Sequence, residues 1–186
     1  MRLFLGLALS DEARIELERL TLRLRTPGDG LRWWVPEQWH ITLAFLGSVP
    51  PEAHASLLRN LECLREPQAD LHLDGLGLFD RVGVLFASVH LTPSLVRLHT
   101  SVSAAARASG LPIEDRPYRP HITLARRRGR GRPQSFSRWR TVAEQQRLHL
   151  RWPAREFLLY ESELSRDGSR YHIRGQFPLT DPTQPA

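Results

Sequence analysis

The sequence predicts an α+β protein made of two similar halves, and three observations lead to this prediction. First, the pentapeptide HITLA occurs twice, at residues 40–44 and 121–125. Second, both copies lie in apolar, β-branched surroundings that are typical of strands. Third, the copies are 121 − 40 = 81 positions apart, and this offset carries most strand and helix patterns of the first half onto those of the second. We therefore expect an internal duplication with an approximate twofold axis.

The first half begins with a predicted strand over residues 2–9. Ser10 can then cap a helix whose first turn carries Asp11 and Glu12, which have the favourable sign for a helix N-terminus. Leucines at helical spacing give this helix its apolar stripe. The next predicted elements are a Pro/Gly break at 26–30, the first motif strand at 39–46, a helix opened by Pro50 and Pro51, and an extended segment at 71–79 with a bulge at Gly75.

The second half repeats this order. A strand is predicted at 82–89, Thr92 and Pro93 cap and open a helix, and a loop at 110–120 leads to the second motif strand. The remaining predicted elements are an arginine- and glycine-rich stretch at 126–132, a short helix opened by Pro133, strands at 148–152 and 156–162, a hairpin turn at Asp167 and Gly168, and a last strand at 171–177. We expect residues 1–179 to form one two-lobed domain and residues 180–186 to form a loose tail.

Composition narrows the functional classes. The formal net charge is +6, the pI is about 10.8, and all 26 basic residues are arginine. Because the planar guanidinium matches phosphate oxygens, an acidic or nucleic-acid partner is expected. No apolar run is long enough to cross a membrane, and Cys63, which we expect to pack among leucines, is the single cysteine. The sequence therefore predicts a cytoplasmic monomer without a disulfide framework, a thiolate metal site or membrane attachment.

Strand geometry brings the histidine and threonine of each motif to one face. Side chains alternate along a strand, so His40 and Thr42 point to one side while the aliphatic residues next to them point to the other. His121 and Thr123 are arranged in the same way. Two such strands side by side would place two imidazoles and two hydroxyls around one cleft.

This set of groups suits phosphoryl transfer at a phosphodiester. A neutral imidazole can deprotonate the attacking oxygen while a protonated one donates to the leaving oxygen. The threonine hydroxyls, and Arg126 after the second motif, can stabilise charge on the non-bridging oxygens. Strict alternation puts Arg126 on the face opposite His121, so it reaches the phosphate only if the strand ends or bends there. A metal site is disfavoured, because neither motif has a carboxylate or cysteine at ligand spacing and no His-x-His occurs.

The residues around both motifs resemble the 2H phosphoesterase superfamily, and within it the RNA 2′,3′-cyclic phosphodiesterases, also called 2′-5′ RNA ligases. The first motif runs on as HITLAFLG over residues 40–47, and the second follows RPYRP at 116–120. The resemblance implies a two-lobed, pseudo-twofold fold in which each lobe is an antiparallel sheet with helices packed outside. It places the active site in the central cleft and implies that the reaction needs no metal or cofactor.

The resemblance also implies a reaction and the role of each motif residue. A 2′,3′-cyclic phosphate at an RNA end is opened to a 2′-phosphate, with reversible 2′-5′ ligation as a second activity. His40 would protonate the departing 3′ oxygen, and His121 would activate water. Thr42, Thr123 and Arg126 would hold the phosphate. The expected partners are RNAs with 2′,3′-cyclic phosphate or 2′-5′-linked ends.

Contacts to the rest of the RNA are expected from aromatic side chains and arginines near the motifs. Trp33, Trp34, Trp39 and Phe45 are stacking candidates, but the core is the favoured location for most of them. Phe45 in particular shares the strand parity of Ile41, which places it on the buried face. The candidate RNA contacts that remain are Tyr118, Arg119, Arg127, Arg128 and Arg130.

Two other functions remain open from the sequence. One is an RNA-end binding module that uses the same cleft without turnover, although the intact histidines of both motifs argue against it. The other is a phosphodiesterase for a small cyclic phosphate, such as ADP-ribose 1″,2″-cyclic phosphate. That enzyme would share the chemistry and differ in the residues at the rim of the cleft.

Overall fold

The structure, a computed structural model, describes residues 1–128, 137–165 and 168–181 of the chain. A 3-10 helix, Pro36–Gln38, precedes the first motif strand. The other elements, in chain order, are β1 (Arg2–Leu7), α1 (Asp11–Leu24), β2 (Leu31–Trp33), β3 (Ile41–Ser48), α2 (Pro51–Glu62), β4 (Ala69–Phe79), β5 (Val84–Val89), α3 (Pro93–Ala108), β6 (His121–Arg127), α4 (Ser137–Gln145), β7 (Arg147–Ala154), β8 (Glu156–Ser165) and β9 (Gly168–Pro178).

The strands form two antiparallel sheets. The first sheet has the order β3-β1-β8-β9, and the second has the order β2-β6-β5-β4-β7. Helix α3 packs against β3 and β4, while α4 packs against β4. One buried cluster, rich in leucine, joins residues of both sheets and supplies the apolar burial that holds them together. The predicted α+β class and the two antiparallel sheets are confirmed.

The two lobes exchange a strand. The offset of 81 residues carries β1, α1 and β3 onto β5, α3 and β6, and it carries the end of β4 onto β8. Strand β4 belongs to the first half of the chain but pairs with β5 in the second sheet. Strand β8 belongs to the second half but pairs with β1 in the first sheet. Each lobe therefore contains strands from both halves of the sequence, and neither half completes its own sheet.

The predicted starts of two helices are confirmed. Ser10 Oγ accepts a hydrogen bond from Ala13 N at 3.2 Å, and Thr92 Oγ1 accepts one from Leu95 N at 3.2 Å. Each cap satisfies a backbone donor that the first helical turn leaves without an intrahelical partner.

The predicted bulge at Gly75 is also confirmed. Strand β4 shifts register between Leu73 and Gly75 against both of its neighbours, β5 and β7. A Cβ atom at Gly75 would lie 2.8 Å from the carbonyl oxygen of Gln146. Glycine therefore permits a backbone approach that a side chain would prevent.

Three features differ from the expectation. The sequence does not predict β2 or the 3-10 helix, because three residues are too few to show a periodic pattern. The prediction for Cys63 is wrong, since this side chain is exposed. Helix α2 ends at Glu62, so Cys63 lies beyond the apolar stripe formed by Leu57 and Leu61.

Some predictions fall outside the described residues, namely the helix start at Pro133, the stretch 129–132, Asp167 and the tail 182–186. Thr180, where the predicted tail begins, donates its backbone N–H to Glu66 O at 2.8 Å and forms a β-bridge with Pro67. In the described part of the chain, no helix is long and apolar enough to cross a membrane.

Candidate active site

Each motif strand contains a β-bulge at an equivalent leucine. Along β3, Ala44 pairs with Leu5 and Thr42 with Gly6, so Leu43 is the extra residue. Along β6, Ala125 pairs with Leu85 and Thr123 with Phe86, so Leu124 is the extra residue. A bulge shifts the alternation of side chains by one position. Phe45 therefore lies on the same face of β3 as Thr42. In the same way, Arg126 lies on the same face of β6 as Thr123.

These bulges determine where Phe45 and Arg126 lie. Arg126 pairs with Val84, and Val84 shares its face of β5 with Phe86, which contacts the His121 ring. Arg126 is exposed on this face, so the bend that the sequence analysis required for Arg126 is present. Phe45 occupies the equivalent position in the first motif, since 126 − 45 = 81.

The prediction that Phe45 is buried is wrong. The side chain is 62% exposed, and its ring lies 6.2 Å from the ring of Phe4 on the same face as His40. Strict alternation fails at Phe45 because the bulge at Leu43 precedes it. Trp39, which precedes the bulge, is 4% exposed and lies in the core as expected.

Both histidine rings are held in the same way. His40 Nδ1 lies 2.8 Å from the carbonyl oxygen of Gln38, and His121 Nδ1 lies 2.8 Å from that of Arg119. A carbonyl oxygen only accepts hydrogen bonds, so Nδ1 is the donor in each ring. Nε2 of each ring is then free to exchange a proton with a substrate.

Stacked aromatic rings flank each histidine. The His121 ring lies 5.0 Å from Phe79 and 5.3 Å from Phe86, which stack on each other. The His40 ring lies 4.7 Å from Phe4, which stacks on Tyr160, the residue equivalent to Phe79. Tyr171 of β9 adds a third ring, 5.0 Å from His40.

Burial lowers the pKa of both histidines. The pKa of His40 is lowered to about 4, mainly because the ring is removed from solvent; the hydrogen bond to Gln38 opposes this shift, and the charge of His121 adds to it. Burial also lowers the pKa of His121, and the hydrogen bond to Arg119 opposes that shift.

A cavity of about 750 Å³ contains residues of both motifs. Thr42, Tyr118 and His121 lie at its wall, and the Tyr118 hydroxyl donates a hydrogen bond to Thr42 O at 3.1 Å. Further lining residues are Phe45, Phe79, Arg81, Val82, Ile113 and Arg119. The structure thus brings the first motif and the second motif to one cavity.

The predicted RNA contacts have different environments. Tyr118 stacks on His99 with 3.9 Å between ring centroids, and burial raises the pKa of its hydroxyl. Arg119 lines the cavity. Arg127 packs over Gly83, and Arg128 Nε donates a hydrogen bond to Leu31 O at 3.0 Å. Arg130 lies outside the described residues.

Strand β2 and the residue that follows it bring Arg32 and Trp34 beside the second motif, a position that the sequence did not predict. Arg32 pairs with Arg126 across the β2–β6 ladder. The Trp34 ring lies 5.9 Å from the Arg32 guanidinium and 6.0 Å from that of Arg126. The sequence offers no signal for this pairing, because β2 itself has no detectable pattern.

No metal centre is evident in the part of the chain that the structure describes. Within residues 1–128, 137–165 and 168–181, no group of three or more His, Cys, Asp or Glu side chains is arranged to hold an ion. The two motif histidines instead have backbone carbonyl partners at Nδ1.

Known proteins resemble this chain in both sequence and fold. Residues 9–166 match the family profile described as the 2′-5′ RNA ligase superfamily. The chain is 32% identical to the RNA 2′,3′-cyclic phosphodiesterase of Thermus thermophilus, covering 96% of this chain and 90% of that protein. It is 30% identical to the corresponding protein of Escherichia coli, covering 96% and 97%. A crystal structure of E. coli LigT complexed with 3′-AMP gives a TM-score of 0.81 at 27% identity, covering 97% of this chain and 98% of that one.

Proposed function

Because the chain belongs to the 2′-5′ RNA ligase superfamily, we propose that it hydrolyses 2′,3′-cyclic phosphates at RNA ends to 2′-phosphates. The observation that carries this proposal is the matched pair of histidines. Both rings donate Nδ1–H to a carbonyl two residues earlier, at 2.8 Å, and both motifs contribute to one cavity. Fixed, paired imidazoles are what a single general acid–base step requires.

The two histidines divide the proton transfers. His121 Nε2 removes a proton from water, the water oxygen bonds to phosphorus, and the bond from phosphorus to O3′ breaks. His40, protonated at Nε2, transfers this proton to O3′. The products are a 2′-phosphate and a free 3′-hydroxyl, and exchange with solvent restores both histidines. The contribution of both motifs to one cavity supports this division, since attacking and leaving oxygens lie on opposite sides of phosphorus.

Fixed donors hold the phosphate during this step. Thr42 and Thr123 each follow their histidine on the same face, and Arg126 shares that face because of the bulge at Leu124. Hydroxyl and guanidinium donors aimed at the non-bridging oxygens stabilise the charge that redistributes in the transition state. We propose that these three side chains bind the phosphate.

The substrate sets the protonation state of the site. Burial and the charge of His121 lower the pKa of His40 to about 4 in the free protein, which favours the neutral ring at pH 7. A bound phosphodiester places a negative charge beside both rings, and a nearby opposite charge raises a histidine pKa. We propose that binding of the anion is accompanied by uptake of the proton that His40 later donates.

The proposal predicts that each motif histidine is essential. His40→Asn keeps a side-chain N–H that can bond to Gln38 O but removes the group at Nε2, and His121→Asn does the same at Arg119 O. We expect each change to lower kcat/KM by about 10³-fold or more on an oligonucleotide ending in a 2′,3′-cyclic phosphate. His149→Asn, at an exposed position of β7, is the matched control and should retain activity.

The same assay tests metal independence and substrate class. Because the imidazoles supply both proton transfers, we expect activity to persist in the presence of a chelator. The rate on a small cyclic phosphate, measured beside the oligonucleotide, distinguishes an RNA enzyme from a small-molecule phosphodiesterase. Full activity of both motif variants would refute the proposal, and tight binding of the oligonucleotide without any product would indicate a binding module.

A further inference from the structure

Strand β2 leads to a tryptophan on the same face of the second sheet as Arg126. Arg32 pairs with Arg126 across the β2–β6 ladder, and directly paired residues share a face. Trp34 lies two residues after Arg32, so alternation brings Trp34 to this face as well. Trp33 points to the opposite face, where its ring packs edge-on against Trp139 at 5.6 Å. Of the two adjacent tryptophans, Trp34 is therefore the one beside the proposed phosphate donor.

The backbone of Trp34 is bonded to the bulge that orients Arg126. Trp34 N donates a hydrogen bond to Leu124 O at 2.8 Å. Leu124 is the extra residue of β6, and this bulge brings Arg126 to the face of Thr123. The hydrogen bond therefore holds the main chain of Trp34 against the segment that carries the arginine.

The Arg126 guanidinium lies over the Trp34 ring. The guanidinium carbon is 6.0 Å from the ring centroid, and Trp34 is partly buried against the core. Arg126 is exposed and has no hydrogen bond or ion pair with any residue that the structure describes. A long side chain without polar partners samples many rotamers, and holding it in one of them costs entropy. The face of the ring attracts the cation and limits this freedom.

Arg32 adds to the need for this support. The Arg32 guanidinium lies 5.9 Å from the centroid of the same ring. Like charges at paired positions of neighbouring strands repel each other. The attraction of the Trp34 ring for both cations opposes the repulsion between Arg32 and Arg126.

We infer that Trp34 is a positioning residue that holds the Arg126 guanidinium toward the phosphate. The inference rests on the proposed function, in which Arg126 binds the non-bridging oxygens. An arginine that is already oriented loses less entropy when it binds the phosphate, so the ring strengthens an interaction that it does not itself make. Contact between the guanidinium face and a ring leaves the N–H groups at the edge of the guanidinium available for an anion.

A double-mutant cycle on the hydrolysis of a 2′,3′-cyclic phosphate tests this role. Trp34→Leu removes the aromatic face but keeps the backbone N–H that bonds to Leu124 O. We expect Trp34→Leu to lower kcat/KM by about fivefold in the wild-type background, as the loss of one cation–π contact would. In the Arg126→Ala background it should change kcat/KM by less than about twofold, because the group that Trp34 orients is gone. Trp34→Phe keeps an aromatic face and should retain most of the activity.

Trp33→Leu is the matched control, because the Trp33 ring packs on the other face of the sheet. Any effect of Trp33→Leu on kcat/KM should be equal in the two backgrounds. Trp34→Met, whose flexible side chain fills space without an aromatic face, replaces Trp34→Leu in the cycle if the leucine variant does not fold.

The outcomes separate the inference from the proposed function. Full activity of Trp34→Leu, or an equal loss from it in both backgrounds, would overturn the inference and leave the phosphodiesterase intact. An equal loss in Trp34→Phe and Trp34→Leu would also overturn it, because the aromatic face would then not be the group that matters. Full activity of Arg126→Ala would instead refute the proposed phosphate contact, and a wild-type protein without hydrolysis would refute the proposed function itself; the inference falls with either.

Discussion

His40 and His121 each donate Nδ1–H to the carbonyl oxygen two residues earlier, and each motif strand carries a bulge at the equivalent leucine. Their surroundings differ. Tyr171 adds a third aromatic ring at His40, whereas a cavity of about 750 Å³ opens beside His121. The residue that follows the bulge is Phe45 in one motif and Arg126 in the other. The duplicated halves thus share the geometry that we propose for proton transfer, and they differ in the side chains around it.

The similarity of the two histidines and the difference in their surroundings have a physical reason. Proton transfer requires a fixed imidazole with one free nitrogen, and the hydrogen bond at Nδ1 provides it equally in both halves. The substrate has no twofold symmetry, because a phosphate with a ribose on one side meets an attacking oxygen on the other. The side chains around the two motifs are therefore free to differ between the halves, as Phe45 differs from Arg126, which we propose to bind the phosphate.

The largest effect is expected when the leaving group no longer needs a proton. A phosphodiester with a 4-nitrophenolate leaving group should recover most of the activity lost in His40→Asn, which we expect to be about 10³-fold or more on the ribose leaving group. The same substrate should recover little of the activity lost in His121→Asn, because the attacking water still needs a base. Initial rates on both substrates measure this. Equal recovery in both variants would show that the two roles are not divided as proposed.

A second prediction separates the residues after the two bulges. Arg126→Ala should lower kcat/KM for cyclic phosphate hydrolysis by about 10–10²-fold, because it removes a charged donor from the non-bridging oxygens. Arg128→Ala is the matched control, since that guanidinium donates to Leu31 O at the edge of β2. If both variants lose the same activity, Arg126 contributes only general positive charge.

The smallest effect concerns stability. The folded pKa of His40, lowered to about 4 by burial, lies below the unfolded value of 6.5. Between these values the unfolded chain binds more protons than the folded protein, so stability falls as pH decreases from 6.5 toward 4. We expect His40 to contribute a loss of about 1 kcal/mol between pH 7 and pH 5.5.

Urea unfolding at the two pH values measures this loss. The His40→Asn variant cannot titrate at this position, so the difference between the two pH values should be smaller in the variant. The lowered pKa of His121 acts in the same direction and remains in His40→Asn, which makes His121→Asn a useful second comparison. An identical pH dependence in wild type and His40→Asn would contradict the prediction.

The duplication, the helix starts and one β-bulge of this protein follow from local sequence patterns. The repeated pentapeptide and its constant offset predict the duplication, and capping residues such as Ser10 and Thr92 predict where helices begin. The bulge at Gly75 is also predicted, because glycine interrupts the alternation there. These features depend on residues within a few positions of one another, and the sequence displays such neighbours directly.

The strand bulges, the strand pairing and the cavity depend on the tertiary structure. The bulges at Leu43 and Leu124 have no glycine to signal them, yet they bring Phe45 and Arg126 to the face of the histidines. The exchange of β4 and β8, the pairing of β2 with β6 and the cavity that both motifs line also depend on which distant segments become neighbours. Alternation along a strand predicts which side chains share a face only as far as the next β-bulge. The position of a bulge depends on how the strand pairs with its neighbour, which the sequence of the strand alone does not show.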